Sequence, residues 1–148
     1  MKLASLNDGS KDGQLIVVSR DLSKFAYASD VSQTMQNAMD NWEDVFNELT
    51  SLSNDLNRGN LKSKKFEPKN VLSPLPRSYQ WADGSAYVNH VHLVRKARGA
   101  DMPDSFWNDP LMYQGGSDDF IPPLSPIYLP DESWGIDMEG EIAVITGK

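Results

Sequence analysis

Cysteine is absent from this chain, which excludes disulfides and any thiolate metal site. Long apolar runs are absent too. The longest early one, Leu-Ile-Val-Val at residues 15–18, falls far short of the roughly 20 residues that span a bilayer. Residues 1–8 carry no apolar core of a signal peptide. No membrane partner is expected, and a cytoplasmic location fits. Basic residues are the minority, with 14 Lys and Arg against 21 Asp and Glu and a formal charge of −7. Non-specific nucleic-acid binding relies on basic patches, so no nucleic-acid partner is expected either. The one basic cluster, Lys62, Lys64 and Lys65, lies in a polar connector and reads as solvation. No internal repeat is visible. A chain of 148 residues can bury a core of its own, as one domain or one and a fraction.

The first half reads as a small antiparallel meander followed by a helix. Strands are expected over residues 2–6 and 14–20, joined by a stretch of Asn, Asp and Gly that tolerates the positive φ of hairpin loops. Residues 25–28 add a third short strand. Val31, Met35, Ala38, Met39, Trp42, Val45, Phe46, Leu49, Leu52 and Leu56 then recur at steps of three and four. That pattern predicts one helix over residues 31–56, capped by Ser29 or Asp30 and stopped at Gly59. Its stripe reads as core-facing rather than as a partner-binding face. Pro68, Pro74 and Pro76 favour extended backbone in the connector over residues 60–76, and a boundary is expected near residue 70. Residues 1–70 form an accessory α+β domain on this reading. Residues 71–148 form a second, more specialised one.

In that second part a helix is expected over residues 85–98, with Asp83 as its N-cap or just before it and Gly99 closing it. Lys96 and Arg98 suit the negative end of the helix dipole. His90 lies seven residues after Asp83, about two turns on. If the helix begins near Asp83, carboxylate and imidazole can border one cavity. His92 points off that face and reads as structural. Residues 100–130 are loop-rich, and Gly115-Gly116 allows a sharp turn or a close approach of backbone to a ligand. Trp81, Phe106, Trp107 and Trp134 read as core or dimer contacts.

From Ile136 to Ile142 apolar and acidic residues alternate, as in a β-strand. Asp137, Glu139 and Glu141 would share one face, with Ile136, Met138 and Ile142 on the other. Ala143-Val-Ile is apolar enough to be buried. Like charges so close repel unless a cation sits among them. A cation site at a sheet rim and a solvated acidic face remain the two readings of this stretch.

Three motifs in order, Asp83-Gly-Ser-Ala-Tyr-Val-Asn-His90, Asp109-Pro-Leu-Met-Tyr-Gln-Gly-Gly116 and Ile136-Asp-Met-Glu-Gly-Glu-Ile142, resemble the fumarylacetoacetate hydrolase family. The resemblance covers the whole chain, with residues 1–70 similar to the accessory N-terminal domain of longer members. It implies an α+β chain in which the accessory domain precedes a mostly β roll. It implies a divalent cation, Mg²⁺ or else Mn²⁺ or Ca²⁺, held by Asp83, Glu139 and Glu141. Hard cations prefer such oxygen ligands. The substrate would be a small keto acid of the fumarylacetoacetate or acylpyruvate type. The ion would polarise its carbonyl and stabilise the leaving enolate. His90 matches the general base that activates water. Tyr113 matches a substrate-contacting loop tyrosine, and Arg98 is assigned to the substrate carboxylate. Asp137 is assigned to the surroundings of the site rather than to the ion. A homodimer and a place in aromatic catabolism complete the expectation.

The chain departs from the family pattern at Ser85, where some hydrolases carry Tyr, and in the spacing of Arg98 from His90. Family members also continue beyond the Glu-x-Glu strand and supply a further metal-binding Asp, a nearby Lys and an acidic partner for the histidine. The chain is therefore expected to be the N-terminal portion of a longer enzyme, with little turnover by itself. Two rival functions remain: a keto-acid decarboxylase or hydratase on the same scaffold, and a non-catalytic interaction module built on the helix over residues 31–56.

Overall fold

The structure, a computed structural model, describes residues 1–136 and 138–146. It is an α+β fold that divides into two compact units, Met1–Arg77 with Asp119–Lys148 and Ser78–Asp118.

In the first unit four antiparallel strands lie in the order β1 (Lys2–Leu6), β2 (Gln14–Val18), β3 (Lys24–Tyr27) and β4 (Lys64–Lys65). Two helices, α1 (Met35–Asp40) and α2 (Trp42–Arg58), separate β3 from β4. β2 is the centre of the core because both its faces are covered. Leu15 and Val17 pack with Ala26, Ala28, Met35, Ala38, Leu49 and Leu56 on the helix side. Ile16 and Val18 pack with Phe25 and Val71 on the other. The period-two alternation of a strand sorts the four residues in this way.

The opposite face is covered because the sheet curls. Val71 bridges Leu6 on the free edge of β1, Asn7 N–H donates to the Asn70 carbonyl and Leu72 N–H to that of Ser5, both at 2.9 Å. β4 lies on the other edge, against β3. On a flat sheet Val71, bridged outside β1, would lie about 19 Å from β4, four strand spacings away. Residues 66–70 include a 3₁₀ turn, Pro68–Asn70, which rises only about 2 Å per residue and cannot reach that far. The edges must approach each other, and Phe66 and Val71 close over the second cluster.

The meander matches expectation, but the helix does not run unbroken from residue 31. Thr34, not Ser29 or Asp30, is the N-cap of α1, its hydroxyl accepting from Asn37 N–H at 3.1 Å. Residues 28–32 instead form a turn, with Val31 and Ser32 N–H both donating to the Ala28 carbonyl. Asn41 then leaves helical geometry (φ −122°, ψ 33°). Its side-chain amide donates to the Asn37 carbonyl at 2.9 Å, taking up a carbonyl left free at the end of α1, as short polar side chains do. Gly59 ends α2 at φ 81°, the left-handed conformation glycine reaches without strain.

The connector is also more ordered than solvation alone would make it. Lys64 lies 4.8 Å from the centre of the Tyr27 ring and donates to its hydroxyl at 2.8 Å. Lys65 pairs with Glu67 at 2.9 Å. The expected final strand is not formed: residues 136 and 138–146 carry no strand, and Ile142 and Val144 are 93% and 81% exposed. Alternation prepares a segment for a sheet, but the ladder needs a partner edge, and among the described residues no strand pairs with this one. Asp137 lies outside the described residues.

The second unit holds a two-stranded antiparallel sheet, β5 (Ala82–Gly84) with β6 (Met112–Gln114), and the helix α3 (Val88–Ala97) between them. Val91 is its one buried residue among those described. α3 starts three residues later than expected, with Tyr87 at the N-cap. Asp83 is thus a strand residue and not a cap, because β5 claims the backbone up to Gly84 and Ser85 N–H still donates to the Leu111 carbonyl at 2.9 Å. Gly99 closes the helix as expected, at φ 67°.

Candidate functional site

Asp83 and Tyr113 are direct register partners across β5 and β6. Opposed residues of an antiparallel pair point to one face with their Cβ atoms about 5 Å apart. The pleat adds Trp81 and Gly115 to the same face, two residues along from each. The Trp81 and Tyr113 rings meet at 5.8 Å between centroids, tilted by 56°. Gly115 N–H donates to the Trp81 carbonyl at 3.0 Å. The Trp81 indole covers Gly115 so closely that a Cβ there would overlap the ring atoms Cε2, Cδ2 and Nε1. Two of the residues singled out in the sequence, 30 positions apart, are thereby brought together by three register pairs and one indole.

His90 occupies the first turn of α3 and is exposed. Arg98 is the C-cap of that helix, also exposed, with its backbone N–H donating to the carbonyls of Val94 and Arg95. Glu139 and Glu141 belong to the other unit and are exposed on non-strand backbone. With no strand formed among the described residues there, the strand pattern no longer supplies a shared face for these two acids. Among the described residues no group of three or more His, Asp or Glu is gathered closely enough to hold a metal ion. By chemistry alone the set Asp83, Glu139 and Glu141 suits a hard cation, since all its donors are carboxylate oxygens.

A cleft of about 390 Å³ in the second unit is lined by Gly84–Ala86, Val88 and residues 106–112. It is not the place of Asp83 and Tyr113. Its strand residues Gly84 and Met112 alternate with those two and so belong to the other face of the two-stranded sheet. Trp81, read from the sequence as a core or dimer contact, lies here against Tyr113 and over Gly115. Its signal was present: a tryptophan two positions before a strand acid, and a glycine two positions after the opposed tyrosine, form the cross-strand aromatic–glycine pairing that covers a bare backbone.

Residues 1–77 match the family model described as fumarylacetoacetase N-terminal domain 2. Residues 80–148 match that of the fumarylacetoacetate (FAA) hydrolase C-terminal domain. These are domains of an enzyme superfamily of hydrolase and decarboxylase type. The chain belongs to the fumarylacetoacetate hydrolase family. No curated protein matches it. Among the described residues no helix is long and apolar enough to cross a membrane.

Proposed function

We propose that the protein serves metal-dependent cleavage of a carbon–carbon bond in a small keto acid of the fumarylacetoacetate or acylpyruvate type. The observation that carries the reading is the opposition of Asp83 and Tyr113 in β5 and β6, within the segment that matches the hydrolase domain. Asp83, Glu139 and Glu141 are the proposed ligands of Mg²⁺, Mn²⁺ or Ca²⁺, and the ion supplies Lewis-acid polarisation of a carbonyl when bound.

The chain's own residues supply the rest. Tyr113, on the face of Asp83, contributes a phenol that donates to a substrate oxygen. His90 takes the proton of the attacking water and returns it to the leaving carbon, work for which imidazole is suited near neutral pH. Arg98 meets the substrate carboxylate, for which a guanidinium offers two parallel donors. The enzyme works as a homodimer in the cytoplasm on this reading, and its keto acids fit the breakdown of aromatic compounds.

The test is to titrate Mg²⁺ and Mn²⁺ into the full protein and to assay acylpyruvates and fumarylacetoacetate with and without chelator. Cleavage that chelation abolishes is expected, and His90→Ala should lose at least about 100-fold in kcat. Release of CO₂ without cleavage into two acids would assign a decarboxylase instead. Absence of any turnover, with no metal uptake, would overturn the enzymatic reading and leave an interaction module.

A further inference from the structure

Tyr113 can serve the proposed chemistry only if its ring is held over Asp83, and the backbone alone does this poorly. β5 and β6 have three residues each, and an isolated two-stranded hairpin is marginal in water. Tyr113 is 61% exposed, so the protein interior does not fix its rotamer. What touches it is Trp81, 5.8 Å away between centroids. The indole is held in its turn from below by Gly115, the position where a Cβ would overlap it, and its own backbone carbonyl accepts from Gly115 N–H at 3.0 Å. The three residues make one unit: glycine admits the indole, the indole spans the strands diagonally, and the tyrosine ring it meets stands on the face shared with Asp83.

We propose that Trp81 is a positioning residue that acts through Tyr113, holding its phenol beside Asp83 for contact with the substrate. This rests on the keto-acid reading above. Tilted aromatic pairs are worth enough beyond simple burial to change the affinity for substrate by about two- to tenfold. The loss on removing Trp81 should appear in KM rather than kcat, because the phenol binds substrate while proton transfer belongs to His90.

The experiment is a double-mutant cycle in the full protein between Trp81→Leu and Tyr113→Phe, with folding checked by circular dichroism. Trp81→Leu should raise KM by about two- to tenfold, Trp81→Phe should restore most of that loss, and Trp81→Leu should add nothing once the phenol hydroxyl is gone. Independent, additive losses would show a merely structural tryptophan and overturn the proposal. If Trp81→Leu does not fold, Trp81→Met, which also removes the ring, takes its place in the cycle with the same criterion. A second readout needs no activity. The Tyr113 ring resonances, assigned by their loss in Tyr113→Phe, should shift when the indole ring current is removed. Unmoved resonances would overturn the proposal even in an active enzyme. Resonances that move in a protein with no keto-acid turnover would instead defeat the functional reading, and the positioning role with it.

Discussion

Gly9 and Gly13 both lie at positive φ, 87° and 67°, but their surroundings differ. A Cβ on Gly9 meets nothing within 4 Å, whereas one on Gly13 would sit 2.6 Å from the Leu6 carbonyl oxygen and 3.0 Å from Leu72 Cδ1. Gly9→Ala is therefore expected to cost about 1 kcal/mol, the penalty of a side chain in the left-handed region. Gly13→Ala adds a clash with backbone and should cost about 2–4 kcal/mol, as read from urea midpoints. Asp21 is set by hydrogen bonds. The Ser19 hydroxyl donates to Oδ1 at 2.6 Å, the Ser23 hydroxyl at 2.8 Å and the Ser23 N–H at 3.1 Å. Chiefly through Ser19, these lower its pKa from 3.8 to about 2. The unfolded chain takes up this proton first, so the stability Asp21 contributes is complete above about pH 4 and is lost as pH falls through about 2. Stability measured from pH 5 down to 2 should fall less steeply in Asp21→Asn than in the natural chain.

The stripe from Val31 to Leu56 shows how far a pattern carries at the scale of elements. Its core face is right except at Phe46, which is exposed beside the Trp42 ring: Met35, Ala38, Leu49 and Leu56 are buried in one cluster, with Val31, Met39, Trp42, Val45 and Leu52 packed against it. Its start and its continuity are not, because periodicity records which residues face the core and not where backbone donors find acceptors. Local side-chain bonds at Thr34 and Asn41 decide that. Thr34→Ala should cost about 1 kcal/mol of stability through the lost cap, while Asp30→Ala should change it by less than about 0.5 kcal/mol. Denaturant unfolding of the two variants distinguishes this cap from the one read in the sequence. β5 and β6 were not legible as strands: the sequence offered only an acid at the expected start of a helix and a loop tyrosine beside two glycines. Three-residue strands are too short to show alternation, and their pairing joins positions 30 apart, a distance over which no local pattern speaks.

Over the whole molecule, burial is unevenly distributed. Leu15, Ile16 and Val17 are fully buried in the first unit, while the second buries Val91 alone among its described residues. Amide protection follows buried, cooperatively held backbone. Hydrogen exchange should therefore find the slowest amides in β2 and much faster exchange in β5 and β6, each judged within its own unit. Equal protection in the two sheets would contradict this distribution of core.

By itself the sequence determined what depends on neighbours along the chain: the hairpin of β1 and β2, the core stripe of α2, the glycine stops at Gly59 and Gly99, and the order of motifs that marks the family. Turn chemistry and helical periodicity act over a few residues, so they are written locally. Tertiary structure alone decided the curl that buries the second face of β2, the absence of a ladder over residues 138–146 and the meeting of Trp81, Asp83, Tyr113 and Gly115. Each of these depends on where a backbone group or a ring finds its partner in space, and a partner distant in sequence leaves no periodic trace of itself.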